Sequence, residues 1–226
     1  MSLTDTELAR LIDHTLLRPE ALASDFQGLC TEAIRHQFHA VCVPGSRVVQ
    51  AVHCLEDSPV KVAAVVGFPL GSMDADTKRF EVESVIDLGA QEIDVVINIG
   101  RLKDGDERYV LRELRDVVEA AEGVPVKVIL ECALLTEDEK RRGCSLVVES
   151  GAQFVKTSTG FASGGATLED VRLLRECVGP KLGVKAAGGI RDRATALAFI
   201  EAGATRIGTS AGITIVGGAS SADGAY

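Results

Sequence analysis

GAQFVKTSTGF (151–161) is the stretch on which the fold turns. Gly151 and Ala152 follow an apolar-periodic segment, where a left-handed residue ends a helix. FVKTS (154–158) then reads as a short strand, and the glycine at 160 marks the turn leaving it. The same order recurs in GAQEID (89–94) and GATRIG (203–208), a repeat that puts Asp94, Lys156 and Gly208 in equivalent positions. A unit repeated as helix end, strand and turn is what a barrel is assembled from.

Working outward, further β-rich runs are AVCV (40–43), KVAAVVG (61–67), EIDVVIN (92–98), KVILEC (127–132), GVKAAG (183–188) and RIGTS (206–210). IDHT (12–15) is an eighth, behind an N-terminal helix opened by Thr4 and Glu7. Between the strands lie helical stretches with their own signals. Ser24 with Gln27 and Thr136 with Glu139 have capping-box spacing. Thr167 and Asp192 read as N-caps, and Gly89, Gly123 and Gly203 as C-terminal stops. Strict strand–helix alternation means a parallel sheet. Eight units in 226 residues predict one α/β domain over 1–226, a (β/α)8 TIM barrel with an extra N-terminal helix. A doubly wound open sheet is the competing architecture, but AVCVPGSR (40–47) is no GxGxxG turn. GGASSADGAY (217–226) is small and polar, and reads as a flexible C-terminal tail.

Composition narrows the function. A net charge of −9 opposes nucleic acid as a partner, because binding phosphate backbones needs a basic face. Apolar runs break within about ten residues, too short to span a bilayer, and MSLTDTELARLID (1–13) is unlike a secretory signal. The six cysteines form no CxxC pair, consistent with reduced thiols and a cytoplasmic setting. His36, His39 and Cys42 are three apart but run from a helix end into a strand, so they need not share a face, and no metal site is expected.

Parallel strands covered on both sides should be continuously apolar. Here Asp94, Lys127, Glu131, Lys156 and Lys185 interrupt them. Side chains alternate across a strand, so the apolar neighbours can face the helices while these charges face the barrel axis. Such burial is costly unless the groups pair or do chemistry. A salt-bridge cluster filling the barrel is one reading. The other is a nucleophilic amine. A free lysine has a pKa of about 10.4, leaving roughly one in 2,500 neutral at pH 7. A second ammonium and a dry pocket both lower that pKa. Lys156 and Lys185, on consecutive strands, fit this design, with Asp94 moving protons through a water. TSTGF, AAGGI and TSAG follow three strand ends and share one rim. Their glycines let backbone N–H groups approach an anion, which favours a phosphorylated substrate at Gly160, Gly188, Gly189, Thr209 and Ser210.

With IDHTLL (12–17), VVGFPLG (65–71), EIDVVINIG (92–100), KVILE (127–131), FVKTSTGF (154–161), GVKAAGGIR (183–191) and RIGTSAGI (206–213), the chain resembles the deoxyribose-phosphate aldolases over nearly its whole length. The resemblance implies a Schiff-base lyase on a (β/α)8 barrel, without metal or organic cofactor. It would cleave 2-deoxy-D-ribose 5-phosphate reversibly to D-glyceraldehyde 3-phosphate and acetaldehyde, in deoxyribose phosphate catabolism. Lys156 matches the imine-forming lysine, Lys185 the lysine that lowers its pKa, and Asp94 the acid/base of the proton relay. Gly160, Gly188, Gly189, Thr209 and Ser210 match the phosphate region, where many relatives have two serines instead of Thr209-Ser210. Asp13 and Lys127 match supporting polar residues. Cys42 matches a strand cysteine near the site in some members, or is a buried apolar filler. Some members end in a tyrosine that assists proton transfer, the role implied for Tyr226; a free terminus is the alternative. Members are often homodimers. Two other readings stay open: a sugar-phosphate isomerase using lysine electrostatically, and a sugar-phosphate binding protein without turnover.

Overall fold

A computed structural model describes residues 3–217. The strands are β1 (Ile12–Thr15), β2 (Ala40–Pro44), β3 (Lys61–Val66), β4 (Glu92–Val96), β5 (Val126–Ile129), β6 (Phe154–Lys156), β7 (Gly183–Ala187) and β8 (Arg206–Thr209). They pair in parallel and in sequence order, and β8 closes onto β1 through Ile12 beside Ile207 and Asp13 beside Gly208. The sheet is thereby the closed barrel expected from the strand count, and not the competing open doubly wound sheet. The helices are α1 (Asp5–Ala9), α2 (Ala23–His36), α3 (Val48–Cys54), α4 (Ala75–Asp87), α5 (Ile99–Lys103), α6 (Glu107–Ala120), α7 (Glu137–Ser150), α8 (Leu168–Val178), α9 (Arg193–Glu201) and α10 (Gly212–Gly217).

Alternation along the strands builds two cores. Outward residues such as Val41, Val62, Ile93, Val128, Val155, Val184 and Ile207 join the apolar layer beneath the helices. A second, small apolar cluster of Ala40, Cys42, Ala63 and Val65 lines the inside at β2 and β3. Burying the outer layer is the main drive to this architecture, since each fully buried Val, Leu or Ile side chain is worth about 1.5–3 kcal/mol.

The caps follow local chemistry. Thr4–Glu7 and Thr136–Glu139 form reciprocal capping boxes, and Thr167 and Asp192 cap α8 and α9. Gly89, Gly123, Gly151 and Gly203 all have positive φ after their helices. Ser24 does not cap α2. The helix starts two residues earlier than a Ser24 cap would place it, and Asp25 accepts from the Leu22 N–H at 2.9 Å. A carboxylate accepts more strongly than a hydroxyl, so the register with Asp25 in the first turn prevails. Gly217, where the expected tail opens, is the last residue of α10. Residues 218–226, and with them the role implied for Tyr226, lie outside the described residues.

Candidate active site

The barrel axis holds a charged network. Asp94 sits inside β4 with no solvent exposure, and its Oδ1 accepts from Lys127 Nζ at 2.9 Å. Its Oδ2 accepts from both Lys156 Nζ and Lys185 Nζ, each at 2.7 Å. Lys185 also pairs with Asp13, and Asp13 Oδ1 accepts from Arg206 at 2.9 Å. Glu92 completes the set, 2.6 Å from Lys127, 2.9 Å from Arg206 and 2.7 Å from His39. The register places these groups together: Lys127 lies beside Asp94, and Lys185 beside Lys156.

One member of this set differs from the rest. Lys156 ends β6 and borders an open cavity of about 640 Å³ at the C-terminal rim. Asp13, Asp94, Lys127 and Lys185 lie one layer deeper, two residues before the ends of their strands, and do not border it. The cavity is also walled by Gly160, Gly188, Gly189, Thr209 and Ser210. Gly188 and Gly189 have φ of 92° and 80°, so two successive left-handed residues shape that turn. The hydroxyl of Thr209 is committed within the protein, donating to the Ile190 carbonyl at 2.6 Å and accepting from the Ala211 N–H at 2.9 Å. The exposed Ser210 hydroxyl carries no such internal bond among the described residues.

The electrostatics separate the lysines. Burial lowers the pKa of Lys156, and Lys185 lowers it further, against the opposing pull of Asp94. Lys185 is equally buried, but Asp13 and Asp94 outweigh that and hold its ammonium well above the ordinary range. Lys127 is also raised, against burial, chiefly by Asp94. Burial would raise the Asp94 carboxyl, but Lys127, Lys156 and Lys185 hold it well below the usual carboxylate range. The Cys42 thiol, on the axis nearby, is pushed up to about 11 by burial and by Asp94.

Some residues of the network escaped sequence reasoning. Glu92 and Arg206 open their strands and look like solvent-facing flanks. Period-two spacing was the available signal, because Glu92 is two before Asp94 and Arg206 two before Gly208. Glu131 departs from the axial pattern. A left-handed backbone, φ 57°, turns the chain just after β5, and its carboxylate accepts from Thr159 instead. Cys42 does lie on the axis, but His36 stacks on Phe38 and His39 turns to Glu92, so the His36, His39 and Cys42 spacing builds no common site. Asp13, His39 and Glu92 do come together as metal-type donors. Arg206 bridges the two carboxylates and Lys127 holds Glu92, so a cation there would displace partners already bound.

A second cavity, of about 480 Å³, opens beside the first at β2 and β3. Leu17, Arg18 and Phe161 border both, and Phe161 meets Phe68 edge to face at 5.3 Å.

Residues 8–217 match the DeoC/LacD family aldolases. The deoxyribose-phosphate aldolase of Alkaliphilus oremlandii is 55% identical over 92% of this chain and 95% of its own. That of Thermococcus gammatolerans is 55% identical over 96% of this chain and 98% of its own. Among solved structures, the deoxyribose phosphate aldolase from Aeropyrum pernix, described as tetrameric, superimposes with a TM-score of 0.89 at 34% identity, covering 95% of this chain and 91% of that one.

Proposed function

The chain belongs to the DeoC/LacD aldolase family, and we propose that it runs the lyase reaction through an imine on Lys156. It is a deoxyribose-phosphate aldolase, cleaving 2-deoxy-D-ribose 5-phosphate reversibly to D-glyceraldehyde 3-phosphate and acetaldehyde. The assignment of roles rests on one observation: Lys156 and Lys185 share a single carboxylate oxygen, while Lys156 alone of that network borders the cavity.

A count of charges supports the choice of nucleophile. The axis holds three carboxylates (Asp13, Glu92, Asp94) and four basic side chains (Lys127, Lys156, Lys185, Arg206). Four basic groups less a neutral Lys156 leave three cations facing three anions. Neutral Lys156 then attacks the C1 aldehyde of the open-chain sugar. A proton delivered through the site water takes the carbinolamine hydroxyl off as water and leaves a protonated imine, which accepts the electron pair of the C2–C3 bond as it breaks. The proton of the C3 hydroxyl passes through a water to Asp94, and glyceraldehyde 3-phosphate leaves. The remaining enamine is protonated and hydrolysed to acetaldehyde, returning the amine. Lys185 stays charged throughout and keeps Lys156 from holding a proton.

Backbone N–H groups of the Gly160, Gly188–Gly189 and Ser210 turns receive the phosphate in this reading, with Thr209 holding two of the loops together. Asp13 and Lys127 set the charges of Lys185 and Asp94 and do not touch substrate. The whole catalytic unit is one domain. Six unpaired thiols suit a cytoplasmic protein, and no helix among the described residues is long and apolar enough to cross a membrane. Exposed Leu70 and Phe80 are apolar surface of the kind a homodimer covers.

Borohydride added with acetaldehyde is expected to leave a reduced two-carbon adduct on Lys156, located by peptide mass spectrometry. Full labelling of a Lys156→Met variant would defeat the assignment. Turnover that resists borohydride would point instead to lysine acting by charge alone.

A further inference from the structure

The segment between β6 and α8, residues 157–167, leaves directly from the imine lysine and is gripped from both sides. Toward β7, the Thr157 hydroxyl donates to the Ala187 carbonyl and accepts from the Ala187 N–H, both at 3.1 Å, and the Ala166 N–H donates to the Gly188 carbonyl at 3.1 Å. Toward β5, Gly164 packs so tightly that an added Cβ would lie 2.6 Å from the Ala133 Cβ. The Cys132 N–H also donates to the Thr157 carbonyl at 2.9 Å.

Glu131 supplies the polar contact on the β5 side. It is 2% exposed, yet it carries a carboxyl group on a left-handed backbone, a costly combination. Oε2 accepts from the Thr159 N–H at 3.1 Å and from the Thr159 hydroxyl. The Thr159 Oγ1 in turn accepts from the Phe161 N–H at 3.1 Å. The two residues flanking Gly160 are therefore fixed through one hydroxyl, and that hydroxyl is oriented by Glu131. Gly160, at φ 86°, and Thr159 both border the cavity; Glu131 does not.

We propose that Glu131 is a positioning residue for the phosphate end of the substrate, acting through Thr159 to set the turn at Gly160 relative to Lys156. The proposal rests on the aldolase reading given above and adds a residue to it. A charged acceptor suits the task because it binds the two Thr159 donors more strongly than a neutral group of the same shape.

The test compares kcat/KM for 2-deoxyribose 5-phosphate with that for 2-deoxyribose, alongside the rate of borohydride trapping with acetaldehyde. Glu131→Ala is expected to lower the phosphorylated-to-unphosphorylated ratio about tenfold, through KM, with trapping within about twofold of the parent. Thr159→Val should do the same, Thr159→Ser should restore the parent ratio, and Glu131→Gln should fall between. An unchanged ratio in Glu131→Ala overturns the proposal. So does a parallel loss with both sugars and in trapping, which marks a general structural defect. If Glu131→Ala does not fold, unchanged ratios in Glu131→Gln and Thr159→Val overturn it equally. Absence of any trapping on Lys156 in the parent defeats the aldolase mechanism instead, a result separable from all of these.

Discussion

The inside of this barrel is lined in two different ways. Along β2 and β3 the inward side chains include Ala40, Cys42, Ala63 and Val65, and they pack with Leu17 and Phe68. From β4 round to β1 they include Glu92, Asp94, Lys127, Lys156, Lys185, Arg206 and Asp13, all buried. The apolar arc holds by transfer out of water, a term each residue contributes largely by itself. The charged arc holds only as a set, since any one of its ions alone would be expelled or neutralised. The difference teaches where reactivity comes from. In the proposed mechanism, a set of four bases and three acids reaches balance by leaving one base uncharged. Lys156, whose pKa is lowered and which borders the cavity, is the member that can do so.

The sharpest way to break this comparison is to remove the shared acid. Asp94→Asn leaves Lys127, Lys156 and Lys185 without their common partner. Breaking a buried pair costs about 3–5 kcal/mol, so the urea midpoint should fall steeply. Turnover should fall by about 10²–10⁴-fold with the proposed proton relay gone. A loss below about 1 kcal/mol would mean the charges are not mutually supporting.

Lys185→Met acts on the same oxygen from the other side. It removes a cation that lowers Lys156, so the pH profile of acetaldehyde trapping should move toward alkali. Each unit of that movement reduces the neutral amine about tenfold at fixed neutral pH. Asp94→Asn should move the profile the opposite way, because Asp94 raises Lys156. Shifts of the same sign in both variants would refute the electrostatic account of the amine.

Acid should dissolve the charged arc selectively. Asp13, Glu92 and Asp94 all titrate below their ordinary values in the folded protein, held there against burial by Lys127, Lys185 and Arg206 among others. Carboxyls lowered on folding add stability that is complete above their unfolded pKa, about 4, and that fades as pH falls toward the folded values. Stability by urea titration should therefore drop below about pH 4. Asp94→Asn should show a shallower drop, having lost one of the groups responsible.

What the sequence made legible follows the same division. Strand order, closure and the Thr136 and Thr167 caps follow from periodicity and spacing, which act locally. Asp94, Lys156 and Lys185 stood out because each breaks an apolar strand in the middle. Glu92 and Arg206 stayed hidden because each begins its strand, where a charge normally meets water; only closure of the barrel buries them. Glu131 was visible as a charge, but its target was not. The left-handed turn that hands it to Thr159 leaves no mark in the residue types. At α2, Ser24–Gln27 and Leu22–Asp25 offer equal spacings, and the Asp25 carboxylate, the stronger acceptor, decides for the second.

The smallest expected effect tests the apolar arc. Val65 lies beside Asp94 in the sheet, belongs to the small apolar cluster and lines the second cavity. Val65→Ala removes about two methylene equivalents, worth roughly 1.6 kcal/mol. The cavity term should add little, because the space opens into a void already open at the rim. Nothing that titrates is lost, so the penalty should be equal at pH 7 and pH 3, whereas that of Asp94→Asn should shrink in acid. A double-mutant cycle between the two then measures how separate the arcs are. Independence predicts a coupling below about 0.5 kcal/mol although the residues are neighbours across one strand pair. A coupling above about 1 kcal/mol would mean that Val65 contributes to the low-dielectric wall that makes the Asp94 pairs strong, and the two arcs would have to be treated as one structure.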